Sequence, residues 1–333
     1  MSLRRAPDLL NAACALLALA ASSATTLLGG PARVDARRPA AAREAGATVA
    51  PVQRPDGSLA LEDASGTSIP LVPRHRIVSG SLLADPLLLE LSAPGDVVAF
   101  SARAPLARDA WRYAGKASLD PTRRVEHLLE LKPDLVLVNG LGEMTWIEQL
   151  RRSGVTVFDL GPMWGLDTFG RNVLSVGWLV GRPDAARELL ATFRARLEAI
   201  ARHVPESARR GGLYLGVHGN QLYGGTRGSS YHDVLTYAGL RDVAASAYQG
   251  WPSYDPEALL GLDPELIVTG TGMRAPLCQR EELRRLRACG PHGDVIEVDS
   301  QLLQDAGLGM LDAAERVHAA AYPHGAPAAG AAR

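Results

Sequence analysis

Ser230, His232 and Asp233 bring the residue types of a hydrolytic triad within a few positions of one another. Such a triad must converge in space, so adjacency along the chain says nothing for it. No G-x-S-x-G turn is present to expose a serine. The run Gly224-Gly225-Thr226-Arg227-Gly228 is glycine-rich but lacks the Lys-Ser/Thr that would hold a nucleotide phosphate. The 8 histidines are scattered, with no zinc spacing and no His-rich loop. The composition is nearly neutral, 35 Lys and Arg against 36 Asp and Glu, so no whole-molecule field points to nucleic acid. These residues give no catalytic assignment, no metal site and no intrinsic cofactor; the expectation is a protein that is not an enzyme.

Two glutamates carry a different kind of signal. The segment Glu126-His127-Leu128-Leu129-Glu130-Leu131-Lys132-Pro133-Asp134-Leu135-Val136 is echoed without a gap by Glu257-Ala258-Leu259-Leu260-Gly261-Leu262-Asp263-Pro264-Glu265-Leu266-Ile267. In each copy the leucines fix a short helix against a sheet. The proline ends the helix, and the apolar run after it re-enters the sheet as a buried strand. Glu126 and Glu257 then fall in the first helical turn, where the helix dipole tolerates an anion. Each alone is a helix-start residue; together they are a repeated surface carboxylate, suited to a two-fold partner. Asp96-Val97 and Asp242-Val243 extend the echo upstream.

The elements around the echo alternate. Strands are expected near Arg76–Ser79, Asp96–Phe100, Asp134–Asn139 and Val155–Leu160, with helices at Asp85–Leu91, Val125–Leu131 and Trp146–Ser153. This order means parallel sheets with right-handed crossovers. A second series runs from Leu213 to Tyr322. Between them Ala186, Leu189, Leu190, Phe193, Leu197 and Ile200 form one helical stripe, opened by Pro183 and stopped by Pro205. The expected architecture is α/β, two doubly wound lobes joined by one long rigid helix, with a ligand cleft between them. The lobes are assigned to 59–180 and 210–323, the interlobe helix to 181–204, and a flexible tail to 324–333.

Residues 1–28 carry Arg4, Arg5, an apolar Ala/Leu stretch and small residues near Ala21–Ala24, the pattern of a secretory signal peptide. A single membrane anchor is the alternative, and lipidation at Cys14 is left open. Residues 29–58, rich in Ala, Pro and Arg, are expected to be a disordered linker, and Leu59–Val72 a short hairpin. Export would put Cys278 and Cys289 in an oxidising compartment. A disulfide closing this loop would contribute roughly 3 kcal/mol; two separate thiols are the other reading.

Arg76-Ile77-Val78-Ser79, Asp96-Val97-Val98, Leu131–Val136 and Gly250-Trp251-Pro252-Ser253-Tyr254-Asp255-Pro256-Glu257, in this order, resemble the periplasmic binding proteins for cobalamin, haem and iron–siderophores, the second lobe most like the cobalamin binders. The resemblance covers roughly Leu59 to Pro323. It implies a substrate-binding component of an ABC importer, acting as a monomer, exported or periplasmic. It would deliver a corrinoid, haem or ferric siderophore to a two-fold permease and its ATPase. Glu126 and Glu257 match the family's permease-docking glutamates. Trp251 matches its loop tryptophan and should face the ligand, with Tyr223, Tyr254 and Arg227 near it. Ser101, Arg103, Asn139, Gly140 and Met163–Trp164 are the first-lobe candidates. Arg103 and Arg227 could pair with a ligand carboxylate or phosphate, or be solvated surface arginines. Haem would need a Tyr or His ligand, for which Tyr223, Tyr231, His218 and Tyr254 are available. Asn139 and Arg103 stand where cobalamin binders carry aromatics, which leaves the chelate open. A zinc or manganese binder of related fold and an exported ligand sensor without a transporter are the alternatives.

Overall fold

The computed structural model describes residues 49–101, 109–119, 124–139, 144–291, 293–305 and 307–325. The expected leader and Cys14, most of the linker, Arg103, Gly140 and the end of the tail lie outside them.

The chain opens with a small antiparallel sheet, β1 (Val52–Gln53), β2 (Leu59–Glu62) and β3 (Ser68–Pro70). The hairpin is therefore joined by a strand from within 29–58, a correction to the linker boundary. Val52 pairs with Ala60 and Gln53 with Leu59, a register that composition could not reveal. Asp63 anchors this sheet: its Oδ2 accepts from Arg151 at 2.6 Å and from the Asp159 amide at 3.1 Å.

The first lobe follows as β4 (Ile77–Ser79), α1 (Ala84–Leu91), β5 (Val97–Phe100), β6 (Ala117–Ser118), α2 (Val125–Glu130), β7 (Leu135–Val138), α3 (Met144–Arg152) and β8 (Val157–Asp159). Its parallel sheet has the order β6-β5-β4-β7-β8. Every residue of β7 is buried, as a continuous apolar run requires of a strand covered on both faces. Two helices then pack on each other, α4 (Leu166–Leu179) and α5 (Pro183–Arg202). With 20 residues α5 is about 30 Å long, and it buries Ala186, Leu190, Phe193, Leu197 and Ile200.

The second lobe contains β9 (Gly211–Tyr214), β10 (Gly216–His218), β11 (Gln221–Tyr223), α6 (Ser230–Tyr237), β12 (Arg241–Asp242), β13 (Ser253–Tyr254), α7 (Pro256–Leu262), β14 (Leu266–Gly270), α8 (Arg274–Cys278), β15 (Asp294–Val298), α9 (Ser300–Gln304) and α10 (Gly309–Ala321). Its parallel sheet runs β12-β9-β14-β15, and β10-β11-β13 form a separate antiparallel ribbon. One apolar cluster continues from the first lobe through α4 and α5 into the second, while each sheet keeps a smaller cluster on its other face. The lobes thus share a central helical layer.

The sequence echo corresponds to a structural one. β5-β4-β7-β8 and β12-β9-β14-β15 have the same connectivity. Lys132 and Asp263, aligned in the echo, are the two non-glycine residues of positive φ among those described, at 47° and 41°. Each sits between its short helix and the proline that precedes the re-entering strand.

Candidate functional site

The second-lobe wall is built by two loops zipped through their backbones. Gly224 N–H donates to Pro252 O at 3.0 Å, Thr226 N–H to Gly250 O at 2.9 Å, and Gly250 N–H to Arg227 O at 2.9 Å. This fixes Arg227 and Trp251 on neighbouring tips; Arg227 is exposed, and Trp251 retains 48% of its surface. Tyr223 is half-buried and lies opposite Ser253 in the ribbon. Beneath them Asp242 acts as a buried anchor. Its Oδ2 accepts from Thr226 Oγ1 at 2.7 Å and meets His232 Nδ1 at 2.8 Å, and its Oδ1 accepts the Ala244 amide at 3.0 Å. The Asp242 hydrogen bond raises the His232 pKa above its ordinary value, against the opposing effect of burial. His232 is thus committed to Asp242 rather than to a triad with Ser230 and Asp233.

Tyr254 is a correction. It is only 5% exposed, packed in the second-lobe core edge-on to Tyr248. Its hydroxyl is buried with no hydrogen-bond partner among the described residues. A side chain at Gly224 would press on its ring, so the glycine is what lets the loop close over it. Alternation along β13 turns Ser253 outward and Tyr254 inward. Ser101 is also turned inward: its Oγ donates to Asp85 Oδ2 at 2.6 Å and its amide to Oδ1 at 3.1 Å. Asn139, just past β7, is half-buried, as are Met163 and Trp164 beyond β8.

The decisive contact crosses the gap. Trp164 of the first lobe and Trp251 of the second have ring centroids 5.8 Å apart, tilted by 39°. Sequence reasoning had named both rings without bringing them together. It had left Tyr231 only as a possible iron ligand. That ring stacks on Tyr214 at 3.8 Å, and the pKa of the Tyr214 hydroxyl is raised, by burial first and then by the neighbouring Tyr231 and Tyr223.

Beside α5, a cavity of about 350 Å³ opens between the lobes. Its walls carry Asp85, Glu90, Asp109, Asp305 and Asp312 against Arg112 and Arg196. Both arginines are engaged, Arg112 with Glu90 and Arg196 with Glu315, each at 2.6 Å. Tyr113 stands among these acids. Its hydroxyl pKa is raised by burial first and then by Asp85, Asp109 and Asp305, carboxylates drawn from both lobes. Sequence spacing singles out none of these residues as a site.

Away from the gap, Glu126 and Glu257 are both exposed in the first turns of α2 and α7. Cys278 and Cys289 are joined in a disulfide, with Cα atoms 5.4 Å apart.

Residues 77–315 match the family model described as periplasmic binding protein. The chain belongs to the periplasmic binding protein family. Among curated relatives, this binding protein is 29% identical over 214 residues to a cobalamin-binding protein of Halobacterium salinarum, covering 62% of this chain and 57% of that protein. It is 23% identical over 211 residues to an uncharacterized ABC transporter substrate-binding lipoprotein of Bacillus subtilis, covering 61% of this chain and 67% of that one. The match to the Halobacterium protein therefore spans little more than half of that relative's length. Among solved structures, a periplasmic haem-binding protein from Pseudomonas aeruginosa superposes with a TM-score of 0.65 at 25% identity, over 76% of this chain and 94% of that one. An ABC-type ferric hydroxamate transport protein from Saccharomonospora viridis gives a TM-score of 0.64 at 21% identity, over 78% and 98%, and shows the shared fold. Fold and family are those of binding proteins. Among the described residues no helix is long and apolar enough to cross a membrane.

Proposed function

We propose that this binding protein captures a cobalamin-type corrinoid between its lobes and delivers it, as an exported monomer, to a two-fold ABC permease and its ATPase. The observation that carries the reading is the lining of the interlobe gap. Aromatic rings of the two lobes meet in Trp164 and Trp251, and a cavity beside α5, lined from both lobes, carries carboxylates around a phenol. A corrinoid offers a broad apolar ring system with uncharged amide side chains, whose N–H groups are donors for carboxylates. The propionates of a haem or the oxyanions of a siderophore would meet like charge there, which costs affinity. The name of the Halobacterium relative supports the same ligand. Arg227, exposed beside Trp251, would pair with a phosphate or carboxylate of the ligand. Glu126 and Glu257 would dock onto the permease as a matched pair.

A second reading, an iron chelate such as haem, is favoured by one observation: Tyr231 stacks on Tyr214 in the second lobe, with Tyr223 nearby, and phenolate oxygen is an iron ligand. The test is the absorbance and mass spectrum of protein purified natively, followed by calorimetric titration with cyanocobalamin, haemin and a ferric hydroxamate. Tight binding of cyanocobalamin alone is the expected result. Binding of haemin or the hydroxamate with no response to cyanocobalamin would overturn the corrinoid reading.

A further inference from the structure

The lobes meet helix end to helix end. α4 starts after Gly165 in the first lobe and α6 after Ser229 in the second. A Cβ placed on Gly165 would lie 3.2 Å from the Ser229 carbonyl carbon. Each helix start carries unpaired N–H groups and a partial positive charge of about half a unit. Two such ends brought together repel unless an anion stands between them.

Asp233 is that anion. It lies in the first turn of α6, on the second lobe, and its Oδ2 accepts the backbone N–H of Leu166, the first residue of α4, at 2.7 Å. One carboxylate therefore faces both helix starts. Gly165 makes the approach possible. Its backbone, φ 72° and ψ −147°, is a conformation kept almost entirely to glycine, and any Cβ there would overlap Asp233 Oδ2. The residue before it is Trp164, whose amide donates to Thr168 Oγ1 at 2.8 Å while that hydroxyl donates to Gly165 O at 3.1 Å. The bond to Asp233, the turn at Gly165 and the ring that meets Trp251 are thus one rigid unit.

We infer that Asp233 is a positioning residue, an interlobe clasp that holds the start of α4 against the second lobe and sets Trp164 opposite Trp251. The inference rests on the interlobe gap being the ligand cleft; given that, the clasp restrains opening and so slows ligand release.

The experiment compares Asp233→Ala, Asp233→Asn and Gly165→Ala in the full chain. The ligand-free state is examined first, by hydrogen exchange of the Leu166 amide and by near-ultraviolet circular dichroism of the paired indoles, with Trp164→Phe and Trp251→Phe as references. Asp233→Ala and Gly165→Ala should speed exchange at Leu166 about tenfold or more, as loss of a bond to a charged acceptor predicts, and reduce the coupled indole signal. Asp233→Asn keeps an acceptor oxygen for the Leu166 amide but not the charge, and should restore part of both. Release of cyanocobalamin, followed by stopped flow, should then accelerate about tenfold in Asp233→Ala, with association changed far less. Unchanged exchange and dichroism in Asp233→Ala would overturn the clasp, as would an asparagine variant no better than alanine. If the wild-type protein does not take up cyanocobalamin, the ligand assignment fails by itself. The ligand-free measurements still decide the clasp.

Discussion

Truncating Trp251 to alanine tests the cleft assignment through a quantity the structure supplies. The ring retains 48% of its surface at the tip of a loop held by backbone hydrogen bonds to its neighbour. A tryptophan side chain can bury up to about 200 Å², so about 100 Å² is left for a ligand to cover. At about 25 cal/mol per Å² this contributes about 2.5 kcal/mol, or about 70-fold in Kd. Trp251→Ala should therefore weaken cyanocobalamin binding by that order in titration calorimetry. Tyr254→Phe is the control. Tyr254 is 5% exposed and its hydroxyl has no partner among the described residues. Deleting that oxygen should leave Kd within about twofold and stabilise the fold by about 1 kcal/mol. An unchanged Kd in Trp251→Ala, with the fold intact by circular dichroism, would put the ligand elsewhere and refute the reasoning. So would an equal loss in both variants, which would mean that the lobe as a whole had loosened.

Replacing Glu126 and Glu257 together with alanine should leave ligand affinity unchanged and impair uptake, because loss of a desolvated charge partner costs roughly 2–5 kcal/mol at an interface; full uptake in a transport assay would refute the docking role. Reducing the Cys278–Cys289 bond, which closes a separation of 11 residues, should lower stability by about 3 kcal/mol, read as a lower urea midpoint in reductant; an unmoved midpoint would count against it. His232 gains its raised pKa in the folded state from Asp242. Its contribution to stability is complete below its ordinary value of 6.5 and is lost as pH rises through the raised folded value. The melting-temperature difference between wild type and His232→Ala should therefore shrink from mildly acidic to mildly alkaline pH, and a difference that grew would contradict the Asp242 pairing.

Local signals made the parallel sheets legible. A leucine-rich turn of helix, a proline and a β-branched run describe one helix-to-strand return, and the two copies became β7 and β14 at equivalent places in their sheets. The left-handed Lys132 and Asp263 show why the match is tight: each return needs the same backbone reversal before its proline. What stayed hidden depends on pairing at a distance. The ribbon β10-β11-β13 is made of strands two or three residues long, too short for any periodicity. Alternation in β13 says that Ser253 and Tyr254 point to opposite sides, but only the surrounding core decides which side is wet. Ser101 read as a loop end, and its partner Asp85, 16 residues away, is what draws it inward. The interlobe contacts were invisible for the same reason, since Trp164 and Asp233 gain their meaning only once the lobes are folded against each other.

The two copies also differ where the difference has consequences. After β15, the last strand of the second sheet, α9 begins with a cap of its own: Asp299 accepts the Gln301 amide at 2.8 Å. α7 does the same through Asp255, which accepts from Ala258 at 2.6 Å. α4, at the position in the first lobe that matches α9, follows Gly165, which has no side chain to offer, and its first amide is satisfied from the other lobe by Asp233. A helix capped within its own lobe is indifferent to the distance between lobes. A helix capped from across the gap loses its cap when the gap widens, about 1 kcal/mol for a typical N-cap, and that ties the order of the Trp164 turn to closure. The repeated topology therefore builds two similar walls, and this one exchanged cap makes them sensitive to each other.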